Sequence, residues 1–356
     1  MNTTGHRLPP QTVDIELSDE NFTNFVSADS CSLSLDMQTA GKQHGLLELN
    51  TTVQTATHTI QVPVCVIRGE RAGPTITMIA GVHGDEYEGT ITLRRLAREL
   101  NAQDVCGCLI LLPSLNHSAL GKGEKLFSID AQDLNLAFTG HSAGKPSEQL
   151  AYYVCQHFIE PSELVVDLRS GGRQLQFTSG AIVQFNEDPE IQRRCEESMI
   201  AFGAPNSIRM PSSHNSNSLA SRVRLMGKDY LQTVFGGGLT YRAKDLDLAY
   251  TGCQNVLRQR GMLQDDIELS STRLLEVRDD TFYLFAEKAG IFEPVAYMGE
   301  NVFKGYPLAN ILPLNGNSFD TEIVYSHINA QLIASHPGGY VNEGDLIAIV
   351  ADEVRS

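Results

Sequence analysis

The sequence predicts an α/β fold followed by a small all-β unit, and three observations carry that prediction. The apolar run Thr75-Ile-Thr-Met-Ile-Ala80 ends in a glycine-bounded polar turn, Gly81-Val-His-Gly-Asp-Glu-Tyr-Glu-Gly89, and a helix-patterned segment up to Leu100 leaves that turn. Leu164-Val-Val-Asp167 repeats the arrangement, running into the Gly-rich exit Leu168-Arg-Ser-Gly-Gly172. Beyond a polar break at 263–272, glycine-bounded apolar strands replace the alternation of strand and helix.

Taken in order, residues 1–60 are rich in Thr, Ser, Asn and Gln, with short alternating pieces at Gly45–Leu49 and Thr59–Val62, and form an N-terminal strand-rich extension with a loose start. Residues 61–265 make the α/β domain. Its predicted elements are strands at 64–67, 75–80, 108–112, 164–167 and 230–235, and helices over 88–100, 147–158, 189–202 and 245–262. Residues 275–356 make the C-terminal β domain, with strands near 274–277, 281–285, 291–297, 306–311, 330–334 and 345–350. The long polar loop 114–140 lacks a period, and loops of that length in compact domains often line a site. Gly236-Gly-Gly238 makes a turn where the backbone can approach a ligand closely, and His214 lies in a polar loop that mobility explains better than a site does.

A chain of 356 residues with formal charge −16 presents an acidic surface, which disfavours a nucleic-acid backbone as partner. No stretch approaches 18 apolar residues and no signal-like h-region opens the chain, so a soluble cytoplasmic protein without a membrane partner is expected. The seven scattered cysteines fit reduced thiols better than a disulfide framework. A homo-oligomer stays open. A crevice at the carboxyl ends of the strands is where an open α/β sheet places its chemistry, and His83 and Glu86 sit there. Three residues apart, an imidazole nitrogen and a carboxylate oxygen can share one cation, but a catalytic zinc takes three protein ligands and keeps one position open.

From about Val62 onward the chain resembles the succinylglutamate desuccinylase/aspartoacylase family, relatives of the zinc carboxypeptidases. The resemblance rests on Gly69-Glu-Arg-Ala-Gly-Pro74, His83-Gly-Asp-Glu-Tyr-Glu-Gly89, Asp130, Asp133-Leu-Asn135, the Asp167–Gly172 turn, Gly252-Cys-Gln-Asn-Val-Leu-Arg258 and Gly290-Ile-Phe-Glu-Pro294. It implies a zinc-carboxypeptidase-like mixed sheet with helices on both faces, one zinc, and hydrolysis of the amide of an N-acylated amino acid or small amine. His83 and Glu86 fall on its first two zinc-ligand positions. The third is Arg169, which has no lone pair to give and stays charged. The family's catalytic Glu falls on Phe235, and its Asn-Arg pair becomes Asn135-Leu136. Lys125 stands where a polarising arginine is usual, keeping the charge without the fork.

These carry-overs give Lys125 and Arg169 electrostatic roles, Lys125, Asn135 and Arg169 the ligand contacts, and Asp167 the task of steadying Arg169 or a nearby ring. Asp85 and Glu88 stay open between solvated charges and catalytic groups. Two readings follow for a small N-acyl amine or carboxylate ligand. One is an altered zinc-dependent hydrolase. The other is a noncatalytic small-anion-binding or regulatory protein in which Arg169 replaces the metal and zinc is weakly held or absent. A third, a non-hydrolytic biosynthetic reaction, stands behind them.

Overall fold

The central strands of one large mixed sheet are apolar on both faces and are covered by helices on both sides. The computed structural model describes residues 31–212, 215–268, 270–314 and 321–354, so His214 lies outside the described residues. β1 (Cys31–Leu33) pairs with β2 (Gly41–Val53), and β2 forms an antiparallel ribbon with β3 (Ala56–Arg68), in register from Gly41 opposite Arg68 to Val53 opposite Ala56. The expected division at residue 60 falls inside β3, whose far end pairs with β5 in the main sheet.

The α/β region follows as β4 (Arg71–Ala80), α1 (Glu88–Glu99), β5 (Cys106–Leu112), α2 (His117–Leu120), α3 (Pro146–Val154), β6 (Leu164–Ser170), β7 (Gln176–Phe177), β8 (Gly180–Gln184), α4 (Pro189–Phe202), β9 (Asn206–Met210), α5 (Leu219–Leu225), β10 (Asp229–Phe235) and α6 (Ala243–Gln259). Then come β11 (Arg273–Glu276), β12 (Tyr283–Phe285), β13 (Gly290–Pro294), β14 (Asn301–Val302), β15 (Pro307–Leu312), β16 (Glu322–Tyr325), β17 (Ala330–Ser335), β18 (Gly339–Val341) and β19 (Leu346–Glu353).

Along the large sheet the order is β1-β2-β3-β5-β4-β6-β10-β8-β9-β11-β19-β17-β14, with β5, β4, β6 and β10 parallel at its centre. A separate antiparallel sheet, β16-β15-β13-β18, occupies the C-terminal region. The segments 307–312 and 346–353 are strands, as the glycine-bounded apolar runs predict. β9 pairs in parallel with β11, and β11 antiparallel with β19, so the sheet passes without a break into the C-terminal strands.

Helices cover both faces. On one side Leu93 and Leu96 of α1, Ile191 and Met199 of α4, and Cys253 and Val256 of α6 pack on Met78, Val166, Leu231 and Phe235. Opposite them Leu150 and Val154 of α3 and Leu219 and Val223 of α5 pack on Ile79, Ile110 and Val165. In α1 the apolar residues recur every three or four positions, burying Leu93, Leu96 and Ala97 and leaving Arg94 and Arg98 outside. Lys42 Nζ then donates to the end-of-helix carbonyls of Arg98 (3.1 Å) and Leu100 (2.8 Å), tying the ribbon to α1. Gly252 lets α6 approach α4, since a Cβ there would lie 2.4 Å from the Phe202 ring. Among the described residues no helix is long and apolar enough to cross a membrane.

Candidate functional site

β4 delivers the chain to its carboxyl end at Ala80, and the polar turn after it must fold tightly against α2. Gly84 makes that possible, because a Cβ at this position would lie 2.3 Å from the Ala119 carbonyl carbon. The turn places His83 and Glu86 side by side, with His83 Nδ1 2.8 Å from Glu86 Oε1. From the next parallel strand, β6, Asp167 and Arg169 point to one face two residues apart, and both are buried. Arg169 lies inside the strand and not in the turn after it.

The guanidinium takes the place where a third metal ligand would come. Arg169 Nε donates to Glu86 Oε2 at 2.9 Å and Nη2 to Glu86 Oε1 at 3.1 Å, a two-pronged ion pair. The Ser170 backbone N–H adds a bond to Glu86 Oε2 at 3.3 Å. Nη1 donates to Asn135 Oδ1 at 3.3 Å and stands 3.6 Å from Asp167 Oδ2. Beneath, the Tyr230 hydroxyl donates to Asp167 Oδ2 at 2.7 Å. His83 Nε2 faces Asp133 Oδ1 at 2.7 Å, an oxygen that also accepts from the Asn135 backbone N–H. Lys125 lies beyond Asp133, 3.5 Å from Asp133 Oδ2 and 3.3 Å from Gln174 Oε1, half-exposed.

Two short contacts at His83 Nδ1 exclude each other. That nitrogen is also 2.8 Å from Arg169 Nη2, and it cannot accept from the guanidinium while donating to Glu86. The charges decide for donation. Burial and the Arg169 charge both push the imidazole towards neutrality, but bonds to Asp133 and Glu86 outweigh them and raise its pKa. In the protonated ring both nitrogens donate, one to each carboxylate. Burial also works against the ionised Glu86, yet Arg169 and His83 prevail and hold it at about 2. Asp133 is held down too, its burial overcome mainly by its bond to His83. Burial wins at Asp167, whose pKa is raised in spite of Arg169. Arg169 itself stays charged, Glu86 and Asp167 outweighing its burial.

A zinc ion, which the resemblance implies, does not fit this donor set. Both His83 nitrogens are committed to carboxylates, both Glu86 oxygens to the guanidinium, and the third position carries a fixed positive charge. Glu86, His83 and Asp133 are strung in a line through the ring and do not converge on one point, and no group of three metal-binding side chains occurs among the described residues.

Phe235 is not in the cleft. It is fully buried on the opposite face of β10, its ring 6.1 Å from that of Phe202. The cleft is faced by the alternate residues Tyr230, Gln232 and Val234, and the register sets Gln232 opposite Asp167 and Val234 opposite Arg169. The sequence reading missed all three, because only the pairing of β10 with β6 sets which of its faces meets the cleft. Asp85 and Glu88 are both buried, so neither is a solvated charge. Asp85 accepts from the Arg173 N–H at 2.9 Å, while burial raises the Glu88 carboxyl beside Ser170. Asp130 accepts from the Ser147 N–H at 2.8 Å and serves the start of α3. The cleft beside Arg169 holds about 190 Å3. A larger groove of about 510 Å3, between the β2–β3 ribbon and α1, contains none of these residues.

Fold, turn and ligand positions define the class. The chain belongs to the succinylglutamate desuccinylase/aspartoacylase family, whose catalytic-domain model matches residues 72–260. It is 32% identical over 329 residues, 91% of this chain and 96% of the relative, to N-alpha-acetyl-L-2,4-diaminobutyric acid deacetylase of Halomonas elongata. Its structure is similar to the product-bound ectoine utilization protein EutE (DoeB) of Ruegeria pomeroyi, at 32% identity and TM-score 0.86, covering 90% of this chain and 98% of that one. It is similar also to a succinylglutamate desuccinylase of Silicibacter sp. TM1040, at 30% identity and TM-score 0.86, covering 91% and 98%.

Proposed function

We propose that this protein binds an N-acylated amino acid or small amine in the cleft beside Arg169 and does not hydrolyse it by the zinc route. One observation carries the reading: the Arg169 guanidinium holds both oxygens of Glu86 and lies beside His83, so a fixed internal cation occupies the place where a metal would be gripped. The chemistry of the strand end supports it. A hydrolase needs a group to take a proton from water and another to give one to the leaving nitrogen, and neither Val234 nor Phe235 can carry a proton. The kinship with a deacetylase supports the ligand class. Calorimetric titration with a panel of N-acetyl and N-succinyl amino acids and small diamines, with product analysis of the same mixtures, tests it. Saturable binding without released acid is expected; rapid release of acetate or succinate would overturn the reading.

A second reading keeps a metal-dependent amidohydrolase, in which His83 and Glu86 would hold the metal with a third ligand and Lys125 would supply positive charge beside the ligand. The retained His83–Glu86 pair favours it. Zinc-dependent turnover abolished by His83→Ala would select it.

A further inference from the structure

Around the cleft most polar groups are spent on one another. Tyr230 is committed to Asp167, Asn135 Oδ1 to Arg169, and the Arg169 donors to Glu86, Asn135 and the surrounding carboxylates. Gln232 is different. It stands half-buried on β10 between Tyr230 and Val234, faces the cleft, and makes no side-chain hydrogen bond among the described residues. A primary amide held on a central strand, offering both a donor and an acceptor to a space of about 190 Å3, is a recognition group without a partner among the described residues. Among the described residues no carboxylate lines that space; Asp167 lies fully buried beneath it, and Phe177 supplies an apolar wall. An ammonium entering here would meet the Arg169 charge and no anion, whereas a neutral acyl-amide would meet a matching neutral amide.

We infer that Gln232 is a specificity-determining residue that hydrogen-bonds the acyl-amide of the ligand, and that the cleft selects N-acylated amino acids whose side chains carry no ammonium. This rests on the reading of the cleft as an N-acyl ligand site and narrows it. The preference is for a neutral acyl-amide over both the deacylated amino acid and an N-acylated diamine.

The test is calorimetric titration of the full chain with N-acetyl-L-alanine, L-alanine and N-alpha-acetyl-L-2,4-diaminobutyrate, repeated on Gln232→Leu and Gln232→Glu, with thermal melts of both variants to confirm folding. The unmodified protein should prefer N-acetyl-L-alanine to the other two. Gln232→Leu should bind it roughly tenfold more weakly, the loss expected for one net hydrogen bond. Gln232→Glu should reverse the order, favouring the diaminobutyrate derivative, a reversal that a merely structural role for Gln232 would not produce. Binding of none of the three by the unmodified protein would overturn the N-acyl reading and this inference with it. Binding of N-acetyl-L-alanine that neither variant alters would overturn the inference alone.

Discussion

Arg169 holds both oxygens of Glu86, from Nε at 2.9 Å and from Nη2 at 3.1 Å, across two segments 83 residues apart in sequence. The pair is buried on both sides, so each charge depends on the other for its solvation. Arg169→Ala removes the two-pronged partner of Glu86 and leaves it only the His83 contact, and should cost about 3–5 kcal/mol in urea denaturation. Arg169→Lys keeps the charge but loses the fork, and should recover only part of that. A loss in Arg169→Ala below about 1 kcal/mol would mean that the pair is more hydrated than its burial indicates.

The same cluster sets a pH dependence. His83 has a raised pKa in the fold, so its contribution is complete below the unfolded value of about 6.5 and fades as pH climbs through the folded value. Glu86 is lowered to about 2, so its contribution is complete above the unfolded value of 4.5 and is lost as pH falls through the folded one. Denaturation of the unmodified protein and His83→Gln between pH 5 and 9 should show a stability gap that is constant at the acid end and narrows at the alkaline end. A gap that widens with pH would mean that His83 is neutral and accepts from Arg169.

The two faces of β10 predict opposite outcomes for neighbouring substitutions. Phe235→Glu drives a carboxylate into the core between α4 and the sheet, loses a ring that packs on Phe202, and should cost at least about 4 kcal/mol or abolish folding. Val234 is buried as well, but it lines the cleft in register with Arg169, so the carboxylate of Val234→Glu gains a cation beside it and should cost less. Circular dichroism melts should place Phe235→Glu several degrees below Val234→Glu, and equal melts would show that the strand is phased otherwise.

That phase was not legible in the sequence, for a physical reason. Tyr230-Leu-Gln-Thr-Val-Phe235 is apolar on both faces because β10 is covered on both, so alternation alone does not tell which side meets the cleft. The parallel register with β6 decides it, and register is long-range information. β4, its turn and α1 could be read, since a buried strand, a Gly-rich exit and a 3.6-residue period follow one another within about 25 residues. Arg169 could be placed because the glycines at 171 and 172 anchor its turn. Asp133 was quoted in the loop without a role, since nothing local shows that a residue 50 positions away from His83 closes on its Nε2. β8 and β9 went unread; each is only five residues long and gains its identity from pairing with the other.

Zinc affinity and hydrolysis should respond to Arg169 before anything else. After dialysis against a mild chelator, metal analysis should find far less than one zinc per chain in the unmodified protein, because a cation would have to displace a guanidinium that makes two bonds to Glu86 and release His83 from two carboxylates. Arg169→His removes the charge and restores a nitrogen donor, so it should raise zinc occupancy markedly. Turnover of N-acetyl and N-succinyl amino acids should still lag, since a missing proton carrier costs about 100- to 10,000-fold. Adding Val234→Glu to Arg169→His supplies a carboxylate from the cleft face of β10 and should bring zinc-dependent hydrolysis above that of either single variant, whereas Phe235→Glu in its place should not. By the family resemblance Leu136 stands where an arginine donor is usual, so the double variant is expected to recover kcat more than KM. Near-stoichiometric zinc in the unmodified protein, lost in His83→Ala together with efficient turnover, would show that Arg169 moves aside and that a third ligand closes the site.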